Sequence, residues 1–142
     1  MQYTMQIKSR QPAVTSVVAD VEIQLAANGV NPDQTSEVCL VLAEALNNVV
    51  EHAYRYSEDG DIEIEVSLIN QNLTINISDF GPEFTAPEPQ PATDPSTEAL
   101  EDLPEGGFGW RLIQMLSDEV SVKRKNNRNH LKLIKILNGA AL

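Results

Sequence analysis

The spacing of apolar residues changes at Asp59-Gly60, and this change limits the folds that are open to the chain. Before it, apolar residues recur every three or four positions, as in helices with one buried face. After it, they alternate with polar residues from Ile62 to Leu68 and again from Leu73 to Ile77, as in strands covered on one side. The chain is therefore expected to pack helices against a sheet.

The first half of the chain is predicted to hold one strand and two helices. A strand covers Met5 to Ser9, and a first helix begins near Pro12 and ends at Asn28-Gly29. Asn31-Pro32 is typical of a helix start, because asparagine caps the free N–H groups and proline needs no N–H partner there. The second helix is predicted to continue to about Tyr56.

The second half is predicted to hold two hairpins separated by a loop and a third helix. The first hairpin turns at Asn70-Gln71-Asn72, the third helix covers Gly107 to Leu116, and the second hairpin turns at Asn126-Asn127. Helices on one face of a mixed, mostly antiparallel sheet form an α+β fold, a two-layer α/β sandwich.

Length and composition limit the kind of protein. The 142 residues, 42% of them hydrophobic, suffice for one core, so residues 1–142 are expected to form a single domain. No apolar run reaches membrane-spanning length, and the amino terminus lacks the pattern of a secretory signal. The single cysteine, Cys39, cannot form an internal disulfide and is expected to be a small buried side chain. These features predict a cytoplasmic protein.

The charge of the chain favours protein partners. Ten basic and 21 acidic residues give a net charge of −11, which argues against direct binding to nucleic acid or to an anionic membrane. The simplest interpretation of the basic residues near the carboxyl end is that they are solvated turn and strand-edge side chains. Six of the ten lie there: Lys123, Arg124, Lys125, Arg128, Lys132 and Lys135.

Three polar side chains, Glu44, Asn48 and His52, follow one another at four-residue spacing on the second predicted helix. They form a stripe next to its apolar face. A carboxylate beside an amide at the rim of a core can act as a base and as an oxygen ligand for Mg²⁺. The alternative is a packing or capping role for Asn48 and a solvated Glu44.

The segment Asp79-Phe80-Gly81-Pro82 follows the last alternating residue of the first hairpin. A carboxylate at this sheet edge could accept a hydrogen bond from the amino group of adenine, and glycine lets a base approach the backbone. The alternative is an ordinary turn.

The segment Gly106-Gly107-Phe108-Gly109 precedes the third predicted helix. A glycine-rich helix start presents free N–H groups and the positive end of the helix dipole, so phosphates could bind there. Phe108 could stack on a base, although core packing is the commoner role of such an aromatic residue. The proline-rich, acidic stretch before it is predicted to be a mobile loop, a nucleotide lid over about 82–106, and a flexible hinge is the alternative role for the glycines.

Together these motifs resemble the GHKL family of ATPases and kinases, and the resemblance spans nearly the whole chain. Residues 44–54 resemble its N box, residues 79–82 its first glycine box and residues 107–110 its second. The small size, the Glu-x-x-x-Asn-x-x-x-His-Ala-Tyr pattern and the Leu-Pro-Glu-Gly-Gly-x-Gly lead-in are similar to bacterial anti-sigma-factor serine kinases. The resemblance implies the Bergerat ATP-binding fold.

The resemblance also implies roles for individual residues. Glu44 would be the general base toward a serine hydroxyl, Asn48 would bind Mg²⁺, and Asp79 would recognise the adenine of ATP. His52 would support the edge of the site. Four glycines would admit the nucleotide and its phosphates, namely Gly81, Gly106, Gly107 and Gly109. Phe108 would belong to the same nucleotide-binding group.

Two functions are consistent with this pattern. In the first, the chain is an anti-sigma factor with serine kinase activity, which phosphorylates a STAS-type anti-anti-sigma factor, sequesters a sigma factor and forms a homodimer, as relatives imply. In the second, it is a non-catalytic ATP-binding module that sequesters a protein partner. The presence of Glu44 favours the kinase.

Two positions depart from the family pattern. Many relatives have a hydroxyl residue on the last strand near the base, where the alignment places Lys132. Relatives also use an arginine just before the second glycine box, whereas this chain has Glu105. The γ-phosphate then lacks a local positive charge, which Arg111 or an arginine of a partner could supply.

Overall fold

The computed structural model describes residues 1–84 and 107–137. Within them, a five-stranded sheet in the order β1-β2-β3-β5-β4 carries three helices, and each neighbouring pair of strands is antiparallel. The element order predicted from the sequence is confirmed. The elements are β1 (Gln2–Lys8), α1 (Gln11–Ala27), α2 (Pro32–Asn48), a π-helical turn (Val49–Ala53), β2 (Asp61–Ile69), β3 (Asn72–Asp79), α3 (Gly107–Leu116), β4 (Glu119–Lys125) and β5 (Arg128–Ile136).

The boundaries of α1 and α2 follow from local side-chain chemistry. Helix α1 ends before Asn28, and Gly29 follows it in the left-handed region at φ +81°, where glycine has no steric penalty. Helix α2 begins after Asn31, whose side-chain oxygen accepts a hydrogen bond from the Gln34 N–H at 2.8 Å. The half-buried Cys39 lies within α2, and burial raises the pKa of its thiol, as expected for an unreactive cysteine.

The second helix differs from its prediction at its carboxyl end. The α-helix stops at Asn48 and continues as a π-helical turn through Ala53, where the Tyr54 N–H donates to the Val49 carbonyl. Because a π turn is wider than an α turn, the side chain of His52 points differently from that of a residue in a continuous α-helix. The prediction of one continuous α-helix to about Tyr56 is therefore wrong over its last turn.

The two hairpins form as predicted from their turn residues. Asn126 and Asn127 adopt φ +56° and +60°, the left-handed backbone region that both residues of a tight two-residue hairpin turn occupy, which matches the right-handed twist of the strands. Asn70 adopts φ +57° in the first hairpin. Residues 62, 64, 66 and 68 of β2 face the helices and are buried, while the residues between them face away.

The core lies between the sheet and the helices, which confirms the two-layer α/β sandwich. Side chains of α1 and α2 pack on the inner face of β2 and β3, and Trp110 and Ile113 of α3 complete the layer. Among the described residues, no helix is long and apolar enough to cross a membrane. The predicted lid lies almost entirely in residues 85–106, outside the described residues.

Candidate nucleotide-binding site

A small cavity lies where the carboxyl end of α2 and the π turn meet the ends of β3 and β5. Its volume is about 30 Å³, far below the ~300–1,000 Å³ of ligand pockets, so a purine base enters only if lining side chains move. Three predicted site residues line it together, namely Asn48, His52 and Asp79. Residues that the site prediction omitted also line it, among them Phe84, Trp110 and Asn129.

Asp79 is the carboxylate that faces this cavity. Its side chain is only 5% exposed, and its Oδ1 atom accepts hydrogen bonds from the Gly81 N–H at 2.8 Å and from Asn129 Nδ2 at 2.9 Å. Both bonds engage the same oxygen, which leaves Oδ2 as the oxygen suited to accept from a base. The carboxylate is thus oriented before any ligand binds.

Asn129 occupies the position that the sequence alignment gave to Lys132. In the sheet register Asp79 lies opposite Asn129, whereas Lys132 lies opposite Asn76. Because side chains alternate along a strand, Lys132 is exposed on the other face of the sheet, away from the cavity. The placement of Lys132 beside the base was wrong, since the alignment could not fix the register of the last strand.

Tyr54 links the N box to the first glycine box through hydrogen bonds of its hydroxyl group. Its hydroxyl donates to the Asp61 carbonyl at 2.6 Å and accepts from the Phe80 N–H at 2.8 Å. Burial raises the pKa of Tyr54, and the nearby carboxylates of Asp79 and Asp61 raise it further. The hydroxyl therefore keeps its proton and serves both neighbours.

Gly81 is required by a close contact between the two motifs. A Cβ atom at this position would lie 2.7 Å from the Cβ atom of Ala53 and 2.8 Å from its carbonyl oxygen. On the other side, the Arg124 side chain donates to the Gly81 carbonyl at 2.6 Å. The Asp-Phe-Gly-Pro segment is therefore fixed on both sides. Arg124, which the sequence analysis interpreted as solvated, has a specific structural role.

Glu44 lies apart from this cavity, at the start of α3. A Cβ atom on Gly109 would overlap the Glu44 carboxylate, the flexible end of that side chain, so Glu44 lies directly against Gly109. A carboxylate at a helix amino terminus is stabilised by the dipole and by the free N–H groups of the first turn. The second glycine box and the N box thus meet, as the resemblance implied.

The remaining residues of the second glycine box are described in part. Gly107 is the first residue of α3. Gly106 and Glu105 lie outside the described residues, as does the side chain of Phe108, so their predicted roles stay predictions. Arg111 is part of α3 and half-buried.

Trp110 adds a polar atom at the cavity. Its side chain is 4% exposed, and its ring meets the Phe84 ring edge to face at a centroid distance of 5.4 Å. The indole Nε1–H is buried without a hydrogen-bond partner in the described part of the chain. Trp110 therefore lies both in the core and beside the cavity.

Residues 1–84 and 107–137 contain no group of three or more His, Cys, Asp or Glu side chains that could hold a metal ion. Magnesium in nucleotide sites is usually bound by one or two protein ligands together with phosphate oxygens and waters.

The sequence profile of the histidine kinase-like ATPase domain matches residues 7–135. The chain belongs to this family. An ATPase domain implies ATP binding, and the oriented Asp79 carboxylate and the close backbone approach at Gly81 are consistent with that ligand.

Similarity to curated relatives indicates a narrower class of protein within this family. The chain is 27% identical over 139 residues to the serine-protein kinase RsbW of Bacillus subtilis, covering 94% of this chain and 86% of the relative. It is 31% identical over 125 residues to the serine-protein kinase RsbW of Oceanobacillus iheyensis, covering 84% and 79%. The predicted GHKL membership, the resemblance to bacterial anti-sigma-factor serine kinases and the predicted enzyme class, a protein serine kinase, are confirmed.

Solved structures share the fold at low identity. The RsbU and RsbW domains of a Mycobacterium tuberculosis protein align with a TM-score of 0.68 at 16% identity, over 96% of this chain and 32% of that one. SiaB in the SiaB-SiaC complex of Pseudomonas aeruginosa aligns with a TM-score of 0.63 at 14% identity, over 95% and 89%. These similarities agree with the two-layer sandwich.

Proposed function

We propose that residues 1–142 form one ATP-binding domain that transfers the γ-phosphate of ATP to a serine of a STAS-type anti-anti-sigma factor and, in another state, sequesters a sigma factor. The observation that carries this proposal is the convergence of three motifs distant in sequence. The N box contacts Gly81 through Ala53 and Gly109 through Glu44. The lone cysteine fits a reducing compartment, so the proposal includes a cytoplasmic location.

At the base end, Asp79 accepts a hydrogen bond from the adenine amino group. Gly81 and Asn129 hold the carboxylate in place at 2.8 and 2.9 Å, so little reorganisation is needed on binding. His52 lines the same cavity and supports its edge. The buried Nε1–H of Trp110 is a further donor for the bound nucleotide or for a water beside it.

At the phosphate end, Asn48 is the candidate magnesium ligand through its side-chain oxygen. Magnesium, when bound, neutralises phosphate charge and orients the γ-phosphate for transfer. The backbone N–H groups of Gly107 and Gly109, at the amino terminus of α3, are suited to phosphate oxygens, and Gly106 is proposed to extend this set.

Glu44 is the proposed general base. It accepts the proton of the substrate serine while the serine oxygen attacks the γ-phosphorus, and the bond from that phosphorus to the bridging oxygen of ADP breaks. The products are phosphoserine and ADP, and the proton remains on Glu44 until solvent removes it. In the structure Glu44 lies against the start of α3, close to the proposed phosphate-binding groups.

The partners follow from the relatives and from charge. The relatives are named serine-protein kinases, and SiaB, a neighbour of similar fold, was solved in a complex with SiaC. A net charge of −11 favours a protein partner over nucleic acid or membrane. A homodimer is part of the proposal.

The alternative is a binding module that takes up ATP and sequesters a partner without transfer. Glu105, which stands where relatives use an arginine, supports this alternative, because that position then supplies no cation for the γ-phosphate.

Incubation with ATP, Mg²⁺ and candidate STAS proteins encoded nearby distinguishes the two functions. The kinase proposal expects phosphate on a serine of one STAS protein. ATP binding without phosphate on any of them, together with stable capture of a sigma factor, would support the binding module.

A further inference from the structure

The carboxamide of Asn129 is the most fully bonded polar group beside the cavity. Its side chain is 4% exposed and makes three hydrogen bonds. Nδ2 donates to Asp79 Oδ1 at 2.9 Å and to the Pro82 carbonyl at 2.8 Å, while Oδ1 accepts from the Phe84 N–H at 2.9 Å. Because Nδ2 has two acceptors and Oδ1 has one donor, the orientation of the amide is fixed.

We propose that Asn129 is a positioning residue that sets the adenine-binding carboxylate and the chain from Pro82 to Phe84 as one unit. This role rests on the proposed function of Asp79 in adenine recognition. A hydroxyl side chain, which many relatives carry near this place, is shorter and could serve Asp79 but not reach both backbone groups. The carboxamide therefore adds a link that a hydroxyl lacks.

The position of Asn129 in the sheet explains how one side chain reaches these groups. It lies opposite Asp79 on β3 and opposite Arg124 on β4. Arg124 donates to the Gly81 carbonyl at 2.6 Å, so two neighbouring strands fix successive carbonyls of the same segment. Phe84 then contacts Trp110 at the cavity. Displacement of the Phe84 backbone would therefore reach the cavity through the aromatic pair.

Two substitutions separate the two ends of the carboxamide. Asn129→Asp keeps an oxygen for the Phe84 N–H but removes both donors and places a second carboxylate beside Asp79. Asn129→Thr keeps a hydroxyl donor for Asp79 but shortens the side chain, so the bonds to Pro82 and Phe84 are lost. Asn129→Ser is a second hydroxyl variant should the threonine side chain impair folding.

Calorimetry with ATP and GTP measures nucleotide affinity, which depends on the end of the carboxamide that donates to Asp79. For Asn129→Asp we expect ATP affinity to fall at least about 10-fold, since a buried charged group loses its partner. For Asn129→Thr, whose hydroxyl replaces only the bond to Asp79, we expect ATP affinity and the preference for ATP over GTP to fall less than for Asn129→Asp.

Amide hydrogen exchange at Phe84 is followed by NMR on isotope-labelled protein in the absence of nucleotide. It measures the hydrogen bond at the other end of the carboxamide, between the Phe84 N–H and Asn129 Oδ1. We expect exchange at Phe84 to speed up at least about 10-fold in Asn129→Thr, and to change much less in Asn129→Asp, because protection follows the retained hydrogen bond. Asn76→Asp and Asn76→Thr are matched controls on the opposite face of the sheet, and neither should change binding or exchange at Phe84.

The outcomes separate this inference from the proposed function. If the wild type binds no ATP, the proposed function is wrong, and with it the adenine half of the role of Asn129. If the wild type prefers ATP and Asn129→Asp binds it equally well, only that half of the role is wrong. Unchanged exchange at Phe84 in the folded Asn129→Thr and Asn129→Ser variants would refute the link to the loop.

Discussion

The base end and the phosphate end of the proposed site differ in how they are held. At the base end, side chains of two adjacent strands, Arg124 of β4 and Asn129 of β5, fix the Asp79 carboxylate and the Gly81 and Pro82 carbonyls through hydrogen bonds. At the phosphate end, Glu44 and Gly109 meet through the packing of α2 on α3. The sheet thus orients the proposed base-binding groups in advance, whereas the position of the proposed catalytic group, Glu44, depends on how two helices approach. Four predictions test this difference.

The largest effect is expected at the phosphate end, from Glu44→Gln. Loss of the proposed general base should slow phosphate transfer by roughly 10²–10⁴-fold, while ATP affinity changes little. Single-turnover phosphorylation of the proposed STAS partner, with calorimetry for ATP, measures both. Glu65→Gln is a matched control, because Glu65 is exposed on the outer face of the sheet. Undiminished transfer by Glu44→Gln would exclude it as the base.

Next in size is Asp79→Asn, at the base end. The amide oxygen can still accept from Gly81 and Asn129, but an amide nitrogen would face the adenine amino group, so ATP should bind about 10- to 100-fold more weakly. The preference for ATP over GTP should also shrink. Asp61→Asn, which removes a surface carboxylate paired with Lys8, serves as the control. A variant with normal ATP affinity and preference would remove Asp79 from the site.

Gly109→Ala tests the helix contact. The added methyl group overlaps the end of the Glu44 side chain, so the carboxylate has to turn away; we expect little change in the free energy of unfolding but slower phosphate transfer. Gly29→Ala is the comparison, because φ is +81° there and no atom lies near a Cβ. It should cost about 1–2 kcal/mol through backbone strain alone. Equal transfer rates in the two variants would contradict the role of the Glu44 contact.

The smallest effect is expected from Phe84→Ala, at the base end. The variant loses the edge-to-face contact with Trp110, worth about 0.5–1.5 kcal/mol beyond buried area. Because the chain has one tryptophan, its fluorescence reports on this cavity alone. ATP should change the emission of the wild type, and Phe84→Ala should reduce that change. Wild-type emission that ignores saturating ATP would mean that the base binds elsewhere.

Much of the fold could be predicted from local chemistry. The asparagine cap of α2, the glycine after α1 and the paired asparagines of the second hairpin each act within a few residues, so their positions were readable. The change in hydrophobic period at residues 59–60 predicted the two layers, one of helices and one of strands. The π turn was missed, because hydrophobic spacing does not distinguish a π turn from an α turn over five residues.

The residues within each contiguous motif of the candidate site could be predicted from the sequence. The contacts between residues of different segments could not. The three motifs named Asp79, Gly81 and Glu44, whereas Asn129 and Arg124 carry no local signal and become site residues only through strand register. A shift of one residue in that register would turn every side chain of β5 to the other face.

By itself, the sequence determined the order of elements, the turns and the chemical groups available for nucleotide binding, because each depends on neighbours along the chain. Only the tertiary structure decided which of these groups face one another. It set Asn129 rather than Lys132 beside Asp79, and Glu44 against Gly109, because contacts between distant segments depend on sheet register and helix packing.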